Sequence, residues 1–157
     1  MKFAVALAAA AAAAAGPAWA DGPGLVAAEV GCGYLGGLGA GIVGIPVGNF
    51  WSTEKFAGGG LYGFIFAYPA GVGLGVYGAG EIWGDDSAND WASVGAALGA
   101  SYASAIVGYA VGEFDGLVIG MLAAPAASTA AYNLTKMATE KDDGGGAAIY
   151  VSYAVFF

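Results

Sequence analysis

The sequence predicts a small transmembrane antiparallel β-barrel of about eight strands, rich in Gly and Ala. The alternative is four glycine-zipper transmembrane helices followed by a C-terminal strand. Three observations lead there. The chain is 59% hydrophobic and only 10% charged, with thirty glycines among 157 residues, far from the roughly 45–50% and about 25% of soluble domains. Such a chain cannot cover itself with water-compatible surface, so a bilayer is the expected solvent and partner. Charges are confined to evenly spaced breaks between apolar units. One of these units, and the last eleven residues, alternate large and small side chains as strands do.

Residues 1–20, MKFAVALAAAAAAAAGPAWA, have the layout of a secretory signal peptide. Lys2 is the positive end, Phe3 to Ala15 the apolar run, and Ala18-Trp19-Ala20 a small-x-small cleavage site. The run is roughly thirteen residues, against about twenty for a spanning helix, and Gly16-Pro17 interrupts it. Residues 21–157 are then a single membrane-embedded domain. The one cysteine, Cys32, provides no disulfide framework. Its preceding Glu29-Val30-Gly31 does not look like a lipid-attachment site, and Cys32 reads as a small apolar wall residue.

Four breaks follow: Asn49 to Gly60, Gly84 to Asp90, Glu113 to Gly116, and Thr139 to Gly146. Between them lie Leu25–Gly48, Leu61–Trp83, Trp91–Gly112 and Leu117–Lys136. Roughly 20–24 residues suit one spanning helix of about twenty, or a hairpin of two strands of about 9–11. Glycine spacing favours helices: Gly33, Gly37 and Gly41 recur every fourth residue, as do Gly95, Gly99 and Ala103. Such repeats let helices approach closely, and a helical form would self-associate through Gly33, Gly37 and Gly41. Spacing of four also keeps residues on one face of a strand. Alternation favours strands: Tyr62, Phe64, Phe66 and Tyr68 share a parity, and Val107, Tyr109 and Val111 share another. Pro69 and Pro125, near the centres of their units, suit tight turns better than helix interiors.

The tail, Ala147 to Phe157, reads AAIYVSYAVFF. Its length and its β-branched and aromatic residues fit one tilted spanning strand. With its terminal Phe and apolar residues at every second position, it resembles the C-terminal signal of small bacterial outer-membrane β-barrel proteins. That resemblance implies an outer-membrane address, and a barrel-assembly machinery that recognises Val151, Tyr153, Val155 and Phe157. Four hairpins and a tail make nine strands, whereas single-chain bacterial barrels have an even number. The first unit, with its weak Gly36-Gly37 turn, is the one expected to contribute a single strand.

Composition excludes several functions. A net charge of −8 with few cations gives nothing to neutralise a nucleic-acid backbone. Without any His the chain lacks the commonest general base and metal ligand. No catalytic residue, metal or cofactor is expected. Ser101 and Ser104 are hydroxyls in a Gly/Ala wall and read as filler. Asp85 to Asp90 is an oxygen-rich loop without the spacing of a calcium site. Asn133-Leu134-Thr135 matches a glycosylation sequon at the end of an apolar unit. Trp51, Trp83 and Trp91 flank the breaks, as an interfacial girdle would. Glu29, the one carboxylate inside the first apolar unit, is the candidate polar site: a lumenal group that binds a cation or pairs with a Lys. The expected role is a non-catalytic outer-membrane barrel, structural or narrow-pore.

Overall fold

The computed structural model describes residues 22–51, 58–84 and 90–140. These form three helices, α1 (Pro23–Trp51), α2 (Gly59–Trp83) and α3 (Asp90–Glu140), and no strand among the described residues. Helix α3 is broken at Gly112 (φ −137°, ψ 20°) and Glu113 (φ 52°, ψ −131°). Its first arm (90–111) and second arm (114–140) fold back on each other. Ser104 Oγ donates to Gly120 O across the pair, and Ser128 Oγ donates to Ala97 O farther from the turn, both at 2.8 Å. The result is an up-down-up-down bundle of four helical rods. All three helices are long and apolar enough to cross a membrane. At 1.5 Å per residue, α1 and α2 are about 44 and 37 Å long and each arm at least about 33 Å, against a hydrocarbon core of about 30 Å.

This overturns the barrel and, with it, the outer-membrane β-barrel resemblance. The fold is the helical alternative, a membrane bundle packed through glycines. The signal peptide at residues 1–20 and the tail carrying Val151, Tyr153, Val155 and Phe157 lie outside the described residues. Outer-membrane address and barrel-assembly partner followed from the resemblance alone and have no support without it.

The physical reason for the correction is visible in α2. Its alternating aromatics are two interleaved i, i+4 pairs. Phe64 and Tyr68 point inward, with rings stacked at 5.7 Å, while Tyr62 and Phe66 are exposed on the outer side. A strand would have put all four on one face. Glycine weakens helices in water. In lipid, unpaired backbone groups are far costlier, so a helix is retained and its glycines serve close packing.

The two prolines taken for turns lie mid-helix and buried. Each has a tyrosine from another rod beside its gap. Tyr102 Oη donates to Phe66 O (2.8 Å), three residues before Pro69. Tyr34 Oη donates to Leu122 O (2.6 Å), three residues before Pro125. Neighbouring side chains thus supply hydrogen bonds where the proline disturbs the ladder.

Helices α1 and α2 meet backbone to backbone. Gly44 and Gly63 lie so close that a Cβ on either would overlap the other's carbonyl, and Gly48 stands in the same relation to Gly59. The main core gathers Tyr68 and Val72 of α2 with Ala105, Leu117, Met121 and Ala124 of α3. A smaller core joins Val76, Ala97 and Tyr132. The Tyr132 ring fits where Gly80 has no side chain.

Candidate functional site

Glu29 sits two turns into α1 and is fully buried. It faces the second arm of α3, where Asn133 Nδ2 donates to Glu29 Oε2 (2.6 Å) and to Thr129 O (3.1 Å). Thr129, Asn133 and Lys136 recur at i, i+4 and i+7 and are all buried, so they form one polar stripe on an apolar helix. Lys136 Nζ reaches the C-terminal end of α2, where a Cβ on Gly84 would lie 3.3 Å from it. Gly84 closes that helix by donating its N–H to Gly80 O (2.7 Å). An ammonium there complements the carbonyl end of the helix dipole. Ser93 of the first arm is buried at the same end of the bundle, one turn beyond Ala97.

The sequence reading makes Glu29 a lumenal group that binds a cation or pairs with a Lys; the helical fold has no barrel lumen, and Glu29 is buried between helices and hydrogen-bonded to an amide. Among the described residues no group of three His, Cys, Asp or Glu side chains converges as a metal site. Asp85 to Asn89 lie outside the described residues. Ser101 and Ser104 are packing hydroxyls. Ser101 Oγ lies 2.8 Å from both Pro69 O and Leu98 O, which share its proton, and Ser104 bonds Gly120 O. Cys32 is a free, half-buried thiol, and its backbone carbonyl packs against Gly75. Trp51, Trp83 and Trp91 are exposed at or next to helix ends, in positions suited to an interfacial girdle.

In the sequence Asn133 reads as part of a sequon and Lys136 as the end of a unit, and neither points to Glu29. The usable signal was the four- and three-residue spacing of Thr129, Asn133 and Lys136 in an apolar segment.

The glycine zipper is also placed differently. Gly33, Gly37 and Gly41 are buried within the bundle. A Cβ on Gly37 would lie 2.6 Å from Val72 Cγ2, and one on Gly41 would strike the Phe64 ring. That face is occupied by α2 and cannot also bind another molecule. The open small-residue stripe is on the first arm of α3: Ala92, Gly95, Gly99 and Ala103 are exposed, and nothing lies within 4 Å of a Cβ built on Gly95 or Gly99.

No protein-family model, no curated protein and no solved structure matches this chain.

Proposed function

We propose that the protein is a non-catalytic helical membrane protein that self-associates, with the first arm of α3 as its contact surface. The observation that carries this reading is the small-residue stripe Ala92, Gly95, Gly99 and Ala103 on the outer surface. On α1 the exposed small residues Gly24, Ala27, Gly31 and Gly39 are interrupted by Leu35, Leu38 and Ile42, and α2 exposes Tyr62, Phe66 and Leu74. Helices have no hydrophobic reason to associate in lipid. Small-residue grooves allow the close backbone approach that gives dispersion contacts. The lipid bilayer is the remaining partner, covering the large apolar faces. The absence of His from the sequence and the use of the buried serines in packing bonds support a non-catalytic role.

Sedimentation in detergent at several protein-to-detergent ratios tests this. Gly99→Leu fills open space, so it should leave the monomer folded and abolish the oligomer. Gly39→Leu also fills open space, on α1, and should leave association unchanged. A monomeric wild-type chain, or an oligomer indifferent to Gly99→Leu, would refute the reading.

A further inference from the structure

We propose that the seam around Glu29, Asn133 and Thr129 is a water-binding site. This goes beyond the association surface and is independent of it, because it lies on the seam between α1 and the second arm.

The hydroxyl inventory makes the case. Among the described serines and threonines, Ser101, Ser104, Ser128, Thr135 and Thr139 each donate to a backbone carbonyl. Thr135 and Thr139 do so within their own helix, to the carbonyl four residues back at 2.9 and 3.1 Å. That is the usual resting place of such a hydroxyl in an apolar helix. Thr129 and Ser93 are the exceptions. Their hydroxyls are buried without a protein partner, and so is Asn133 Oδ1. All three residues are at least 99% buried. An unpaired buried polar atom is expensive, and lipid gives it no alternative partner. Thr129 Oγ1 and Asn133 Oδ1, on the face of the second arm that meets the buried Glu29 carboxylate, give a polar seam with donors and acceptors, the setting in which buried water is held.

The polar groups at this end explain why water fits better than a cation. Lys136 on the second arm is buried one turn from Asn133, with its ammonium beside Gly84 at this end of the bundle. Glu81, next to the end of α2, and Asp90 and Glu140, the first and last residues of α3, are further acids at this end. Water can donate to Asn133 Oδ1 and either donate to or accept from the Thr129 hydroxyl. An alkali ion could only be coordinated by oxygens.

The site lies toward one end of the bundle. Glu29 lies about 9 Å from the start of α1 at 1.5 Å per residue. Toward the other end, the apolar core of Tyr68, Val72, Leu117, Met121 and Ala124 closes the bundle.

Water-edited solid-state NMR on the full chain in lipid bilayers tests this. Magnetisation transfer from water to the Thr129 and Asn133 side chains should be several-fold faster than to Val72 and Ala124. Thr129→Val removes the hydroxyl at nearly constant shape and should slow the transfer at Asn133. Transfer at Thr129 and Asn133 as slow as at Val72 would overturn the proposal without any variant. Resonances of Glu29 and Asn133 that move when sodium replaces a bulky organic cation at constant ionic strength would overturn it in favour of a bound metal ion.

Discussion

The two hairpins of the bundle begin from the same short sequence and close by different means. Residues 42–50 of α1 read IVGIPVGNF, and residues 106–114 of α3 read IVGYAVGEF. The registers match in burial as well: Glu29, Gly33, Gly37, Gly41 and Gly44 are buried in α1, and Ser93, Ala97, Ser101, Ala105 and Gly108 in the first arm. Ile42, Val43 and Val47 are exposed, as are Ile106, Val107 and Val111. At the shared glycine the two hairpins behave alike, since a Cβ on Gly44 would overlap Gly63 O and one on Gly108 would overlap Gly116 O. Away from it they diverge. The α1–α2 hairpin continues with bare backbone contacts, Gly36 on Gly71 and Cys32 on Gly75. The α3 hairpin has one further bare contact, Gly120 on the Ser104 carbonyl, and adds hydroxyls, Ser104 to Gly120 O and Ser128 to Ala97 O. One seam depends on the absence of side chains, the other on small polar ones. The first should be intolerant of added atoms, and the second tolerant of lost ones.

The largest expected effect comes from adding bulk to the glycine seam. Gly44→Leu places a branched side chain where the Gly63 carbonyl lies. No rotamer avoids a backbone atom, so the helices must separate. Overpacking of this kind costs about 1–3 kcal/mol and sometimes more, and here about 3 kcal/mol is expected. Thermal unfolding in detergent, followed by tryptophan fluorescence, should show a large drop in midpoint or no folded protein. An unchanged midpoint would mean the α1–α2 seam is not packed as described.

A good deal of this was legible in the sequence. The four apolar units were delimited correctly, and each proved to be one helical rod. The break at Glu113 to Gly116 lies within a residue of the observed turn at Gly112-Glu113. What misled was the choice of period. Small residues spaced by four lie on one face of a helix and of a strand alike, so Gly33, Gly37 and Gly41 did not discriminate. In α2 the aromatics Tyr62 to Tyr68 imitated a strand because two helical pairs happened to interleave. Pro69 and Pro125 were judged by rules for helices in water, where no neighbouring tyrosine serves the disturbed carbonyls. The polar seam was half legible. Glu29 stood out as an acid in an apolar unit, but its partner Asn133 is 104 residues away, and only the fold brings them together.

An exchange at matched positions sharpens the contrast between the hairpins. Gly37 of α1 corresponds to Ser101 of the first arm. Gly37→Ser brings a Cβ within 2.6 Å of Val72 Cγ2 and near the Tyr68 ring, so it should destabilise by about 1–3 kcal/mol through overpacking. Ser101→Gly adds no clash. It forfeits a buried hydroxyl bond and adds a glycine to a helix, together about 1–2 kcal/mol. If Gly37→Ser proved the milder change, the view of α1 as a seam closed by missing side chains would fail.

The smallest effect belongs to the hydroxyl seam itself. Ser128→Ala removes the 2.8 Å bond to Ala97 O and leaves that carbonyl within the ordinary ladder of its own helix. Interhelical hydrogen bonds in membrane proteins average about 0.6 kcal/mol, because the separated helices also find partners. Alanine is the better helix former by a few tenths of a kcal/mol, which offsets part of the loss. The net change should therefore fall below about 0.5 kcal/mol, a midpoint shift close to the limit of a careful melt. Ser104→Ala should behave alike, and the double variant should be additive, since the two serines bond different carbonyls about two turns apart along each arm. A cooperative collapse in the double variant would show that the hydroxyls, and not the shared glycines Gly108 and Gly116, hold the arms together.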